Sequence, residues 1–155
     1  MRLTRRFIIQ SLNNLNVSRP IRYERYYIND KLRIQSKDKI YEKEFLNKEN
    51  IVIKKVNISE DEFNKLKKDA YAKIIRDSYL YLDDNRISIK KYLGQYKGLI
   101  RVEVKFHSLD EMNNYRRESW METEITNSPL AFDKYLSRLS KQEFLLELNK
   151  YISKL

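Results

Sequence analysis

The chain has 155 residues, 41% of them apolar, 35% charged and 12% aromatic, a composition that folds and a length that can bury a core without disulfides. Cysteine is absent, histidine occurs once and glycine twice, which excludes thiol chemistry, zinc fingers, iron–sulfur ligation, a P-loop and a GxGxxG turn. The formal charge of +10 points either to an anionic partner (phosphates, nucleic acid or an acidic surface) or to plain solvation charge on an exposed face.

The basic excess sits early: residues 1–56 hold 14 Lys and Arg against 6 Asp and Glu, residues 57–155 hold 18 against 16. Met1 to Tyr23 contains no acidic residue. Leu3, Phe7, Ile8, Leu12 and Leu15 line one face of a short expected helix, so residues 1–20 are read as a basic N-terminal extension, a docking helix or loose arm carrying Arg2, Arg5, Arg6 and Arg19. An Arg-rich, acid-free start is also the pattern of mitochondrial transit peptides, although a cytoplasmic location is the expectation. No apolar run approaches the ~20 residues that span a membrane.

From Ile21 the period changes to two. Strands are expected over Ile21–Ile28, Lys31–Gln35, Ile40–Leu46 and Ile51–Val56, the last two as a hairpin around Asn47–Asn50. Ser59-Glu60-Asp61-Glu62 is a capping box that opens a helix of about 15 residues through Phe63, Leu66, Ala70 and Ile74. Strands return over Ile75–Leu82, Arg86–Tyr92 and Leu99–Phe106, with Asp83-Asp84-Asn85 as a turn rather than a metal site. Ser108 opens a second capping box and Ser140 a third, the latter before a helix carrying Phe144, Leu145, Leu148 and Ile152. Between them lie Trp120, a short strand at Glu122–Ile125 and a helix near Pro129–Leu136. His107 reads as a surface residue at a strand end; Trp120, Met112 and Met121 read as packing. The class is α+β, and about eight antiparallel strands can close into a barrel with helices outside.

Within Leu99–Phe106, Ile100, Val102, Val104 and Phe106 alternate with Arg101, Glu103 and Lys105. The same split places Arg22 and Glu24, Arg33, Lys55, Arg76 and Lys90 beside apolar neighbours. In an open sheet these are surface charges. In a closed one they line a wet, ionic lumen.

Residues 21–155 resemble a CYTH domain, the fold of the triphosphate tunnel metalloenzymes. The resemblance rests on the run Tyr92-Leu93-Gly94-Gln95-Tyr96-Lys97-Gly98-Leu99 leading into Ile100–Val104, on Trp120 followed by Glu124-Ile125-Thr126, and on Ile58–Phe63. It implies a tunnel whose cations grip phosphates while clustered Glu residues hold Mg²⁺ or Mn²⁺. The family's E-x-E-x-K falls on Arg22-Tyr23-Glu24-Arg25-Tyr26, where one Glu remains; its phosphate-binding Lys falls on Lys43; its later acidic pair becomes Ser88 and Lys90. The implied lumen sets Arg22, Arg33, Lys43, Lys55, Arg76, Lys90, Arg101 and Lys105 against Glu24, Glu103 and Glu124. Like charges at ~4 Å repel by several kcal/mol in a protein interior, so a divalent metal is disfavoured there.

The leading expectation is therefore a protein that binds triphosphate, nucleotide or polyphosphate, needs no cofactor, and has weakened or lost hydrolysis. The alternative is a Mg²⁺- or Mn²⁺-dependent triphosphatase with catalytic Glu24 and Glu103 and metal ligands Glu24, Glu103 and Glu124. A third reading, nucleic-acid or protein binding, uses the basic segment Arg2–Arg25.

Overall fold

The computed structural model describes residues 3–152. Eight strands are present: β1 (Thr4–Ile9), β2 (Ile21–Asn29), β3 (Leu32–Lys37), β4 (Ile40–Leu46), β5 (Val52–Asn57), β6 (Ala72–Leu80), β7 (Ile87–Leu93) and β8 (Ile100–Lys105). The α-helices are α1 (Glu60–Leu66), α2 (Leu109–Asn114), α3 (Asp133–Leu136) and α4 (Lys141–Ile152). The strands hydrogen-bond in the order β1-β8-β7-β6-β2-β3-β4-β5.

The expected closed barrel does not form, because β1 and β5 end this order without pairing to each other. The outer edge of β1 is already used. Ile8 N donates to Thr123 O, Glu122 N to Ile8 O and Ile125 N to Arg6 O, so the chain's own 122–125 segment satisfies that edge. This segment is the strand expected at Glu122–Ile125, reduced to a single bridge between Phe7 and Glu124.

The chain divides into two compact units, Ile21–Arg76 and Met1–Pro20 with Asp77–Leu155, called here the central and the terminal unit. In the central unit β2, β3, β4 and β5 form an antiparallel meander. Asp38 and Asn50 take positive φ in its hairpin turns, as short polar residues tolerate. Ser59 caps α1 by accepting from Glu62 N, as the capping box requires. The helix is shorter than expected: it ends at Leu66, one 3₁₀ turn follows over Lys67–Asp69, and Ile74 lies in β6. The β-branched run around Ile74 and Ile75 favours strand once it has a sheet to join.

In the terminal unit the expected N-terminal helix is a strand. β1 pairs antiparallel with β8, Phe7 opposite Val102 and Ile9 opposite Ile100. An apolar cluster of Phe7, Ile9, Ile87, Ile89, Val102 and Val104 fills one face of β1, β7 and β8, with Trp120 and Met112 packed against it. Arg2 lies outside the described residues, while Arg5 and Arg6 are engaged in side-chain bonds, so Thr4–Ile9 is no loose arm. Gly98 sits at φ +109°, closed to ordinary side chains, with Leu148 of α4 3.5 Å from where a Cβ would stand. Ser140 and Glu143 complete a reciprocal capping box on α4.

Because Phe7 is fully packed, Phe7→Ala is expected to cost about 3–5 kcal/mol. Urea unfolding followed by circular dichroism checks this; a free arm would show no change.

Candidate functional site

Each unit carries a charged strand face, and register decides who belongs to it. In the central unit Arg25 lies opposite Gln35, which lies opposite Glu42. One row on, Tyr27, Arg33, Glu44 and Lys55 lie side by side. Directly opposed residues share a face, so these seven side chains form one polar surface. Its bonds follow: Arg25 Nε donates to Gln35 Oε1 at 2.6 Å, Gln35 Nε2 to Glu42 Oε1 at 3.3 Å, and Arg33 Nε to Glu44 Oε1 at 2.9 Å. Lys55 Nζ stands 3.5 Å from Glu44 Oε2. Tyr23 shares this face with Lys37, and the Arg76 guanidinium lies 4.6 Å from the centre of the Tyr23 ring. Burial works to raise the Glu44 pKa, but Arg33, Arg25 and Lys55 outweigh it and hold the carboxyl below its usual range.

The terminal unit builds its charged face on the side of β8 away from the apolar cluster. Arg101 and Glu103 are buried there although the sheet is not closed, because the segment 128–137 covers them. Glu103 Oε1 accepts from Arg6 Nε at 3.1 Å and from Arg101 Nη2 at 3.0 Å, and Lys90 Nζ is 3.7 Å from its other oxygen. Arg101 also donates to the Leu130 carbonyl and to Asp133 Oδ1, and Tyr92 OH donates to that same Asp133 oxygen at 2.5 Å. Burial alone would lower the Arg101 pKa; Tyr92, Glu103 and Asp133 reverse this and raise it. Arg6 stacks 4.3 Å over the Phe132 ring.

The predicted residues are therefore not all on these faces. Arg22, Glu24 and Lys43 were expected beside Arg33, but Glu24 lies opposite Ser36 and Lys43 opposite Ile34 and Val56, on the face that packs α1. Lys43 pairs there with Glu62 at 2.5 Å. Glu24 accepts from Tyr26 OH, whose pKa burial and the Glu24 charge push up to about 12. A one-residue slip in reading β2 accounts for Arg22 and Glu24, and a like slip in β4 for Lys43, since strand faces alternate at every residue. Lys105 is exposed and joins no buried bond. Arg6, Arg25, Glu42, Glu44, Tyr92 and Asp133 were missed. The Glu42-Lys43-Glu44 alternation carried a signal for two of them; Asp133 carried none, lying on a short helix far along the chain.

The carboxylates do not fit the Mg²⁺ or Mn²⁺ that the resemblance implied. Glu103 lies on the Arg6 and Arg101 face, whereas Glu124 is bridged to Phe7 on the opposite face. Both Glu124 oxygens are held by Arg5, at 3.0 and 2.7 Å, and one also by Thr126 OH. Among the described residues no group of three His, Asp or Glu is placed to hold a metal.

Two solved structures of the protein NE1496 resemble the chain. One, described as a hypothetical protein, gives a TM-score of 0.75 at 17% identity over 90% of this chain and 99% of that one. The other, described as an inorganic triphosphatase, gives 0.71 at 18% identity over 86% and 95%. These likenesses show the fold. It is CYTH-like in its eight-stranded sheet with helices, although the closure that the resemblance implied is not formed. No protein-family model matches the sequence, and no curated protein does. Among the described residues no helix is long and apolar enough to cross a membrane.

Glu44 and Glu124 both have folded pKa values below the ordinary carboxylate value of about 4.5. Their stabilisation is present above that value and lost as pH falls through the lowered one. Glu44→Gln is expected to cost about 3–5 kcal/mol at pH 7, by removing the buried carboxylate charge that faces Arg33, and to flatten the loss of stability below pH 4. Urea midpoints at pH 7 and pH 3 measure both.

Proposed function

We propose that the protein binds a phosphate-rich anion, a triphosphate, nucleotide or short polyphosphate, through the Arg33 face of the central unit. The observation that carries this reading is the imbalance on that face: Arg25, Arg33, Lys37, Lys55 and Arg76 against Glu42 and Glu44. Arginine forks match phosphate oxygens in pairs of hydrogen bonds, and lysines add point charge. Of the cations expected from the sequence, Lys55 and Arg76 keep this role, with Arg33 bonded to Glu44 within the same face. Lys90 and Arg101 are committed to Glu103 and Asp133, Arg22 and Lys43 lie on the other face, and Lys105 stays in solvent. The fold shared with a protein described as an inorganic triphosphatase supports the ligand class.

In isothermal titrations with tripolyphosphate, ATP and a short polyphosphate, at least one is expected to bind, with affinity falling steeply as salt rises. Lys55→Met and Arg76→Met should each weaken that binding about tenfold or more, the loss of one charge-assisted bond. No binding to any of the three removes the reading.

The second reading, hydrolysis of triphosphate, is favoured by the same likeness to NE1496. Against it stand the dispersed carboxylates, each already held by cations or hydroxyls of the chain. Tripolyphosphate with Mg²⁺ or Mn²⁺ is expected to release no phosphate above a protein-free blank. Release that disappears in Glu24→Gln would put hydrolysis first.

A further inference from the structure

We infer that the terminal unit contains an anion site that the chain fills with its own Asp133. Three cations, Arg6, Lys90 and Arg101, together with the Tyr92 phenol, point from the strands into one buried place, where Glu103 of β8 meets all three cations. The remaining negative charge comes from outside the sheet. α3 presents Asp133 so that one oxygen receives both Arg101 Nη2 at 3.1 Å and Tyr92 OH at 2.5 Å, while the Leu130 carbonyl takes Arg101 Nη1 at 3.1 Å. A small oxyanion would be met by the same donors.

The fit is incomplete in an informative way. Arg101 is 3% exposed, yet its Nε has no hydrogen-bond partner among the described residues. A carboxylate sited only to neutralise a buried arginine is best placed across two guanidinium nitrogens, Nε among them. Here the fork is met by one oxygen each of Glu103 and Asp133, both on Nη2, and by a backbone carbonyl on Nη1, and Nε is left over. The donor set is thus wider than Asp133 satisfies. The segment is also well anchored: Leu130, Ala131 and Leu136 are fully buried, so Asp133 stays where it is in the native protein. The ligand class the site accepts is a carboxylate or a phosphate oxygen, and native Asp133 keeps such anions out.

The test is rescue of Asp133→Ala by formate, a free carboxylate of the size removed, against sodium chloride at equal ionic strength, with thermal unfolding as the readout. The native protein should melt alike in both salts. Asp133→Ala should melt lower in chloride and regain much of the loss in formate, saturably, and the gain should vanish when Arg101→Met is added. Asp133→Asn, which keeps the side chain in place, should be destabilised and indifferent to formate. An Asp133→Ala protein that melts, or fails to fold, equally in both salts overturns the inference, as does an equal formate response in Asp133→Asn. Formate is no phosphate chain, so this result stands apart from the titrations of the central unit.

Discussion

A guanidinium buried in protein keeps its charge, so every buried arginine must be met by oxygen from somewhere in the chain. Arg101, Arg33 and Arg6 are all buried, and each is met by carboxylates: Glu103 of its own strand and Asp133, Glu44 of the neighbouring strand, and Glu103 again. That requirement explains why the polar faces of β3 and β8 carry ion pairs within the chain rather than loose solvated charge. It also explains why Leu130 to Leu136 is packed down on the β8 face. The segment brings apolar side chains that stay buried, and it delivers the one carboxylate that Arg101 still needs.

The same requirement shapes what the fold can do. A sheet of eight strands has two edges to dispose of, and closure is one solution. Here the β1 edge is covered by residues 122–125, and β5 is left in solvent with Lys54 and Lys55 on it. Charge burial in the terminal unit is achieved by a local cover instead of a closed wall. The charged face of β8 is therefore committed to internal pairing, whereas the polar face of the central unit sets Arg25, Arg33, Lys37, Lys55 and Arg76 beside Glu42 and Glu44.

Sharing a fold with a protein described as an inorganic triphosphatase does not transfer its chemistry, which depends on side chains at particular positions. Divalent cations need several oxygens converging from one side. Glu103 and Glu124 lie on opposite faces of the β1 and β8 pair, and each is neutralised by arginine.

Local chemistry was legible in the sequence. The serine N-caps of all three expected capping boxes, one of them a full reciprocal box, the turn at Asp83–Asn85 and the apolar alternation of β8 depend on residues within a few positions of each other, and all appear in the structure. Phe7-Ile8-Ile9 was misread as helix, because a short apolar run carries no period of its own and only β8 makes it a strand. Register was beyond reach for the same reason. One residue of slip in β2 exchanges Arg22 and Glu24 for Tyr23 and Arg25 on the Arg33 face, and nothing local marks the difference. Which carboxylate answers which arginine was decided only by tertiary structure: Arg6 meets Glu103 97 residues away and Arg101 meets Asp133 32 residues away, separations across which sequence carries charge but not distance.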